Sequence, residues 1–351
     1  MTDLAVNRLD YLAARLHGRR SRLAEASRLD DLCRLPNLTD LGRAVYPAAE
    51  FDSAAAFQRR LAQDLVDEID GFRPHLEGAG AELVDWLRVR FQVENLKVLL
   101  RDFLREPASA AGQAHLLALS KDLALDAAAL RAAESLERFA AGLPPGTLRR
   151  SVVWAVDTFG VGLRPFFLEA ALDRGYFQEL RRRTDRLAEP DRDLIDPIVA
   201  QEIEAFYLLL AVRGRFLHGL AVERVLPLAL GGAEMSADRF GALLSAEDVT
   251  AAARLAVGRA VDGLPAVLES GEAAVAISGL EALASRRYWR LCNRAFRGSH
   301  MGLGAVVGYV GLRRVEVANW VMLSEGLRLG EGTERLCARL IPCQQPEAGH
   351  V

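Results

Sequence analysis

The sequence predicts an all-α protein, and three observations predict it. Ile and Thr are scarce, six and seven in 351 residues, against abundant Ala, Leu, Arg and Glu, a balance that favours helix over sheet. Proline is absent from 75–106 and from 266–341, so long unbroken helices are permitted there. Within 81–104 the residues Leu83, Trp86, Leu87, Phe91, Val98 and Leu99 recur at helical intervals, the stripe a helix lays against a core. Strand-like alternation of apolar and polar residues is sustained nowhere.

Composition narrows the function. Apolar residues make up 51% of the chain and charged residues 26%, enough to bury a large core and too apolar for disorder. A formal charge of −3 suggests neither nucleic acid nor an anionic membrane as partner. Asp3, Arg8 and Asp10 stand where a secretory signal would be apolar, so none is expected. The longest weakly polar runs, 205–212 and 302–312, are far short of the roughly 18–20 apolar residues that span a bilayer. Work at a membrane would therefore require another protein to hold the chain there.

Cys33, Cys292, Cys337 and Cys343 form no CxxC pair and have no nearby histidine; reduced, core-filling thiols are the expectation. The six histidines are scattered without HExxH spacing, so no metal and no cofactor is expected. Gly298–Met301 reads as a turn between two helical segments.

Three segments share a glutamate followed seven residues later by an aromatic: Glu50 to Phe57, Glu169 to Tyr176 and Glu281 to Tyr288. Thirty-one residues after the aromatic come Tyr207 and Asn319 in the second and third segments. In the first the matching landmark is Asn95, 38 residues on, with the seven extra residues assigned to a bend at the Gly-rich 77–82. Each landmark lies in a helix of similar character, and Arg101, Arg213 and Glu325 follow the landmarks by six. The segment cores are then 50–104, 169–217 and 281–329.

Catalytic patterns are weak. A DDxxD diphosphate site would need an acid where Arg34 follows Asp30-Asp31, and Glu189, Asp191 and Asp193 around Pro190 lack a facing acidic cluster. No GxxxxGK[ST] is present, and Gly231-Gly232 after an apolar run reads as a helix stop. Arg313, Glu316 and Asn319, three apart, share one helix face; contact with another protein chain and a buried polar pair fixing helix register both fit it. Residues 231–285 carry net −5 and 286–339 net +6, which suits complementary solvated faces or a basic end aimed at an acidic partner.

The same landmarks resemble those of the family of C subunits of V-type/A-type ATP synthases, which is related to the d subunit of the eukaryotic V-ATPase. Tyr11–Leu23 resembles the family's opening helix, and Asn95-Leu96-Lys97 with Leu99 and Arg101 its NL(K/R)xLLR helix. Pro145–Leu148 is similar to its PGTL turn, while 202–215 followed by 225–232 resembles its second helix and L-x-x-GG stop. Residues 309–326 and 335–343 resemble its last long helix and closing helix. Tyr207, Val321 and Leu327 depart from the usual Asn, Arg and Lys, and 105–130, Ala-rich and read as helical, resembles an insertion.

The resemblance implies three related helical units, 1–146, 147–250 and 251–351, arranged as a pseudo-threefold funnel. It implies a non-catalytic rotor part on the cytoplasmic face of a membrane, coupling the central-shaft subunits to the proteolipid ring for ATP-linked proton or sodium transport. Equivalent helices of such a funnel face a common axis. That makes Asn95, Lys97, Arg101, Glu204, Arg213, Arg215, Arg313, Glu316 and Asn319 the candidates for contacts between subunits or for helix seams. A free-standing helical-repeat adaptor is the alternative, and a helical enzyme the remote one.

Overall fold

Short polar side chains start many of the helices. In the computed structural model, which describes residues 2–25, 27–104, 116–229, 235–264 and 272–342, the side chains of Asn37, Ser53, Asp126, Ser135, Ser236 and Asp248 each accept from a backbone N–H three residues on. The first helices are α1 (Thr2–Arg20), α2 (Ser27–Cys33), α3 (Leu38–Val45), α4 (Ala54–Asp70) and α5 (Gly78–Leu104). Then come α6 (Ala127–Arg131), α7 (Leu136–Ala141), α8 (Thr147–Phe159), α9 (Pro165–Thr184) and α10 (Asp191–Val212). Next are α11 (Val222–Val225), α12 (Ala237–Leu244) and α13 (Val249–Ala256). The last are α14 (Ala273–Ser299), α15 (Leu303–Leu329) and α16 (Thr333–Arg339). Among the described residues there is no strand, only an isolated bridge between Val257 and Val261. The chain is all-α, as its sequence predicts.

Two compact units form: a terminal unit of residues up to 75 and from 288 on, and a central unit, Leu76–Arg287. In the terminal unit α1 and α4 pack on α15, whose run Leu303–Leu312 is buried throughout. Helix α4 offers Phe57, Leu61, Leu65 and Ile69, four apart and all buried, which is one continuous face. Glycine brings α14 and α15 together: a Cβ at Gly308 would lie 2.6 Å from the carbonyl oxygen of Cys292 and 2.7 Å from the amide nitrogen of Phe296. Gly330, in the left-handed conformation at φ 71°, ends α15.

In the central unit α9 is the hub, with α5, α8 and α10 packed on it. Trp86 on α5 stacks on Tyr176 of α9 at 5.8 Å between ring centres, and its indole N–H donates to the Tyr176 carbonyl at 2.9 Å. Helix α10 carries Pro197 inside it and passes at its end into a π-helical turn, Arg213–Leu217.

Three expectations are corrected. The Gly-rich bend is confined to its start: Glu77 is loop and Gly78 takes φ 57°, while 79–82 already run in the first turn of α5. Residues 116–126 are loop and turn rather than helix, and α6 begins only at Ala127; 105–115 lie outside the described residues. Cys33 and Cys337 are not separate thiols but a disulfide, since α2 and α16 pack so that the two Cα atoms stand 5.8 Å apart, within bridging range. Cys292 is buried and in no disulfide, as expected, and Cys343 and Gly231-Gly232 lie outside the described residues.

Candidate functional site

The polar residues of α5, α10 and α15 converge on one recurring arrangement. On α5, Arg88, Gln92 and Asn95 fall four and three apart and so share a face. Arg88, 2% exposed, donates to Asp85 at 3.1 Å, to Asp122 at 3.2 Å and to Ser120. Gln92 donates to the Leu123 carbonyl at 2.9 Å. Asn95 grips the backbone of one residue by both its polar groups: its Nδ2 donates to the Leu117 carbonyl at 2.9 Å and its Oδ1 accepts the Leu117 N–H at 2.8 Å. The three side chains thus hold the loop after the helix against its flank.

Asn319 on α15 repeats the grip on Ile341, donating to its carbonyl at 2.6 Å and accepting its N–H at 3.1 Å. The gripped residue is again 22 positions downstream. On α10 Tyr207 occupies this place, and its hydroxyl donates to the Leu228 carbonyl at 3.2 Å, 21 positions downstream. Asn95, Tyr207 and Asn319 are each 112 residues apart. The tyrosine at this place keeps the bond to a downstream carbonyl that the two asparagines make.

A second contact recurs six residues on. Arg101 forms a bidentate pair with Glu169 of α9, at 2.6 and 2.8 Å, and Arg213 pairs with Glu281 of α14 at 2.5 Å. In both cases arginine and glutamate are 68 residues apart. At the third position Glu325 of α15 accepts from Gln58 of α4 at 2.7 Å, and Gln58 also donates to Ser324 at 3.0 Å. Gln58, not Glu50, stands where Glu169 and Glu281 stand. Glu50 precedes α4, its side chain is 89% exposed, and among the described residues it meets only Arg43, at 3.8 Å. From Gln58 to Asn95 is 37 residues and from Glu169 to Tyr207 and Glu281 to Asn319 is 38, so no seven-residue insertion is needed. The register expected from the glutamate spacing is off by about one heptad, which is nearly two helical turns and leaves an apolar stripe almost unchanged.

The remaining candidates also have partners within the chain. Lys97, 6% exposed, donates to Asp173 of α9 at 2.9 Å and to Glu94 at 3.2 Å. Glu204 takes both arms of Arg239, at 2.9 and 2.7 Å. Arg215 donates to the carbonyls of Leu244 at 2.9 Å and Leu220 at 2.7 Å, fastening the π-helical turn to the chain beyond it. Arg313 bridges Glu68 at 3.1 Å and Glu316 at 2.6 Å and lies over the Trp320 ring. Glu316 accepts the Ala24 N–H at 2.6 Å, and burial pushes its carboxyl above the usual range. The Arg88 bond holds Asp122 down at about 2. Arg88, Gln92 and Gln58 were not among the residues expected from sequence. The signal for the first two was available: polar residues in register with Asn95 on an otherwise apolar helix.

No group of three His, Cys, Asp or Glu among the described residues is placed to hold a metal. No described helix is long and apolar enough to cross a membrane. Fold and site together define a helical-repeat scaffold, one whose recurring polar geometry fastens each long helix to the chain around it. A model of the ATP synthase (C/AC39) subunit family matches residues 12–336, and the chain belongs to that family, a component of the rotary V/A-type ATP synthases. No curated protein matches the chain significantly.

Proposed function

We propose that the chain is a non-catalytic rotor part that couples the central shaft to the membrane proteolipid ring, so that ATP chemistry and proton or sodium movement turn together. In this reading the three segments build a pseudo-threefold funnel held peripherally on the cytoplasmic face of the membrane by the complex. The observation that carries it is the seam: each long helix grips the chain downstream through its landmark residue and, six residues on, meets a neighbouring helix through a polar pair. A part that transmits torque must resist shear between its helices, and charge-assisted pairs with reciprocal amide bonds supply fixed register there. The nine candidate polar residues then act as seam residues that stiffen the funnel wall, with Arg101 and Arg213, the half-exposed ones, nearest to a partner.

The test is coupling. Native membranes depleted of this protein should keep ATP hydrolysis by the released head and lose ATP-driven ion pumping, and adding the purified chain back should restore pumping. Pumping that survives depletion, or a chain that purifies from its host without other rotary subunits, would reject the reading.

A further inference from the structure

Helices α2 and α16 of the terminal unit are joined covalently, and their other ties are unequal. Helix α16 is fastened to α15 on both sides of Cys337. Leu336, 1% exposed, fills the space that the missing Cβ of Gly326 leaves open, and Asn319 holds both backbone polar groups of Ile341. Helix α2 has no such anchorage. Its seven residues bury two side chains, Leu29 and Cys33 itself, and the helix it packs on chiefly is α16. Cys33 Sγ lies 3.5 Å from the Thr333 carbonyl oxygen; the other polar bonds of 27–33 stay within 21–35 among the described residues. A helix of seven residues is too short to hold itself in water.

The flanks of this stretch are fixed. Helices α1 and α3 both pack on α15, and the Ala24 N–H donates to Glu316 at 2.6 Å. Residues 27–36 are therefore a strap between two anchored points, with the disulfide as its fastening. Access to the bridge is one-sided, since Cys33 is 1% exposed and Cys337 only half-buried.

We propose that Cys33–Cys337 is a redox latch: the disulfide pins the α2 strap to α16, and reduction by a dithiol frees the strap while α16 stays seated on α15. A thiolate of the reductant bonds to Cys337 Sγ, on the accessible side, as the S–S bond breaks and Cys33 leaves as a thiolate that takes up a proton. The reductant's second thiolate then attacks its own sulfur in that mixed disulfide, and Cys337 leaves in turn and is protonated. Two electrons and two protons pass to the protein, and the dithiol becomes a disulfide. The cellular setting rests on the functional reading above. On the cytoplasmic face of a membrane the thiol pool opposes disulfides, and a bridge there is more often a redox sensor than a permanent staple.

Hydrogen exchange read by mass spectrometry tests the latch on the purified full chain: oxidised, reduced with dithiothreitol, and as the Cys33→Ser/Cys337→Ser variant. Thiol counting should find two new thiols after dithiothreitol treatment of the folded chain. On reduction the amides of 27–36 should exchange about tenfold faster, while those of 333–341 stay within about twofold. The double Ser variant should exchange as the reduced chain does and ignore dithiothreitol. A bridge that dithiothreitol leaves intact in the folded chain overturns the latch. So does unchanged exchange at 27–36 after reduction, which would make the bridge a permanent staple. Equal acceleration at 27–36 and 333–341 overturns it too, because both helices would then be released together. None of these outcomes bears on the rotor reading, which stands or falls on the depletion test.

Discussion

Asn95 and Asn319 each hold both backbone polar groups of a single residue, and removing either side chain strands a donor and an acceptor together. Asn95→Ala and Asn319→Ala should each cost about 1–3 kcal/mol, read as a lower denaturation midpoint at unchanged slope. Tyr207→Phe removes the bond to the Leu228 carbonyl and should cost about 1 kcal/mol. The ion pairs add a pH dependence with a definite sign. Asp122 titrates at about 2 when folded against 3.8 ordinarily, so the folded chain binds fewer protons between those values. Its stabilisation is complete above about pH 4 and is lost as pH falls through 2. The side chain is 46% exposed, so solvent screens the effect and it is modest. Asp122→Asn should flatten the loss of stability in that acid range; an identical pH profile would show that the Arg88 bond contributes nothing.

Helices meet where side chains are smallest, and the glycines of α15 show how little space is left. An alanine at 308 would drive its Cβ into the backbone of α14, which cannot rotate aside, so Gly308→Ala should cost about 1–3 kcal/mol or more. Gly241 in α12 is the control, since its nearest neighbour would be Leu226 Cδ1 at 3.8 Å, ordinary contact. Gly241→Ala should stabilise by about 0.4–1 kcal/mol, because the unfolded chain loses freedom and the helix loses none. Thermal melts of the two variants should move in opposite directions. Helix identity at this scale was legible: α5, α14 and α15 occupy the proline-free stretches, and Asn95 and Asn319 lie within them. Helix register was not, as Glu50 and Gln58 show, because a shift of about two turns preserves the apolar stripe that sequence reading relies on.

At the scale of the whole molecule the longest link among the described residues is the disulfide, joining Cys33 to Cys337 across a separation of 304 residues. Reducing it should lower stability by about 2–4 kcal/mol, and a Cys33→Ser/Cys337→Ser variant should be insensitive to reductant. Equal melting of the oxidised and reduced protein would show that α2 and α16 hold together without it. The landmarks Asn95, Tyr207 and Asn319 led to the family by resemblance to its motifs, while composition and periodicity were enough for the helical class and the positions of the long helices. All of these depend on neighbours within a few helical turns, where local sequence acts. The partners of the polar residues had to wait for packing: the Leu117 and Ile341 peptides for the asparagines, Glu169 and Glu281 for the arginines, Gln58 for Glu325, and Cys337 for Cys33. A hydrogen bond or disulfide is decided within a few ångströms of space, and two residues that far apart in the chain come that close only once packing has fixed the path between them.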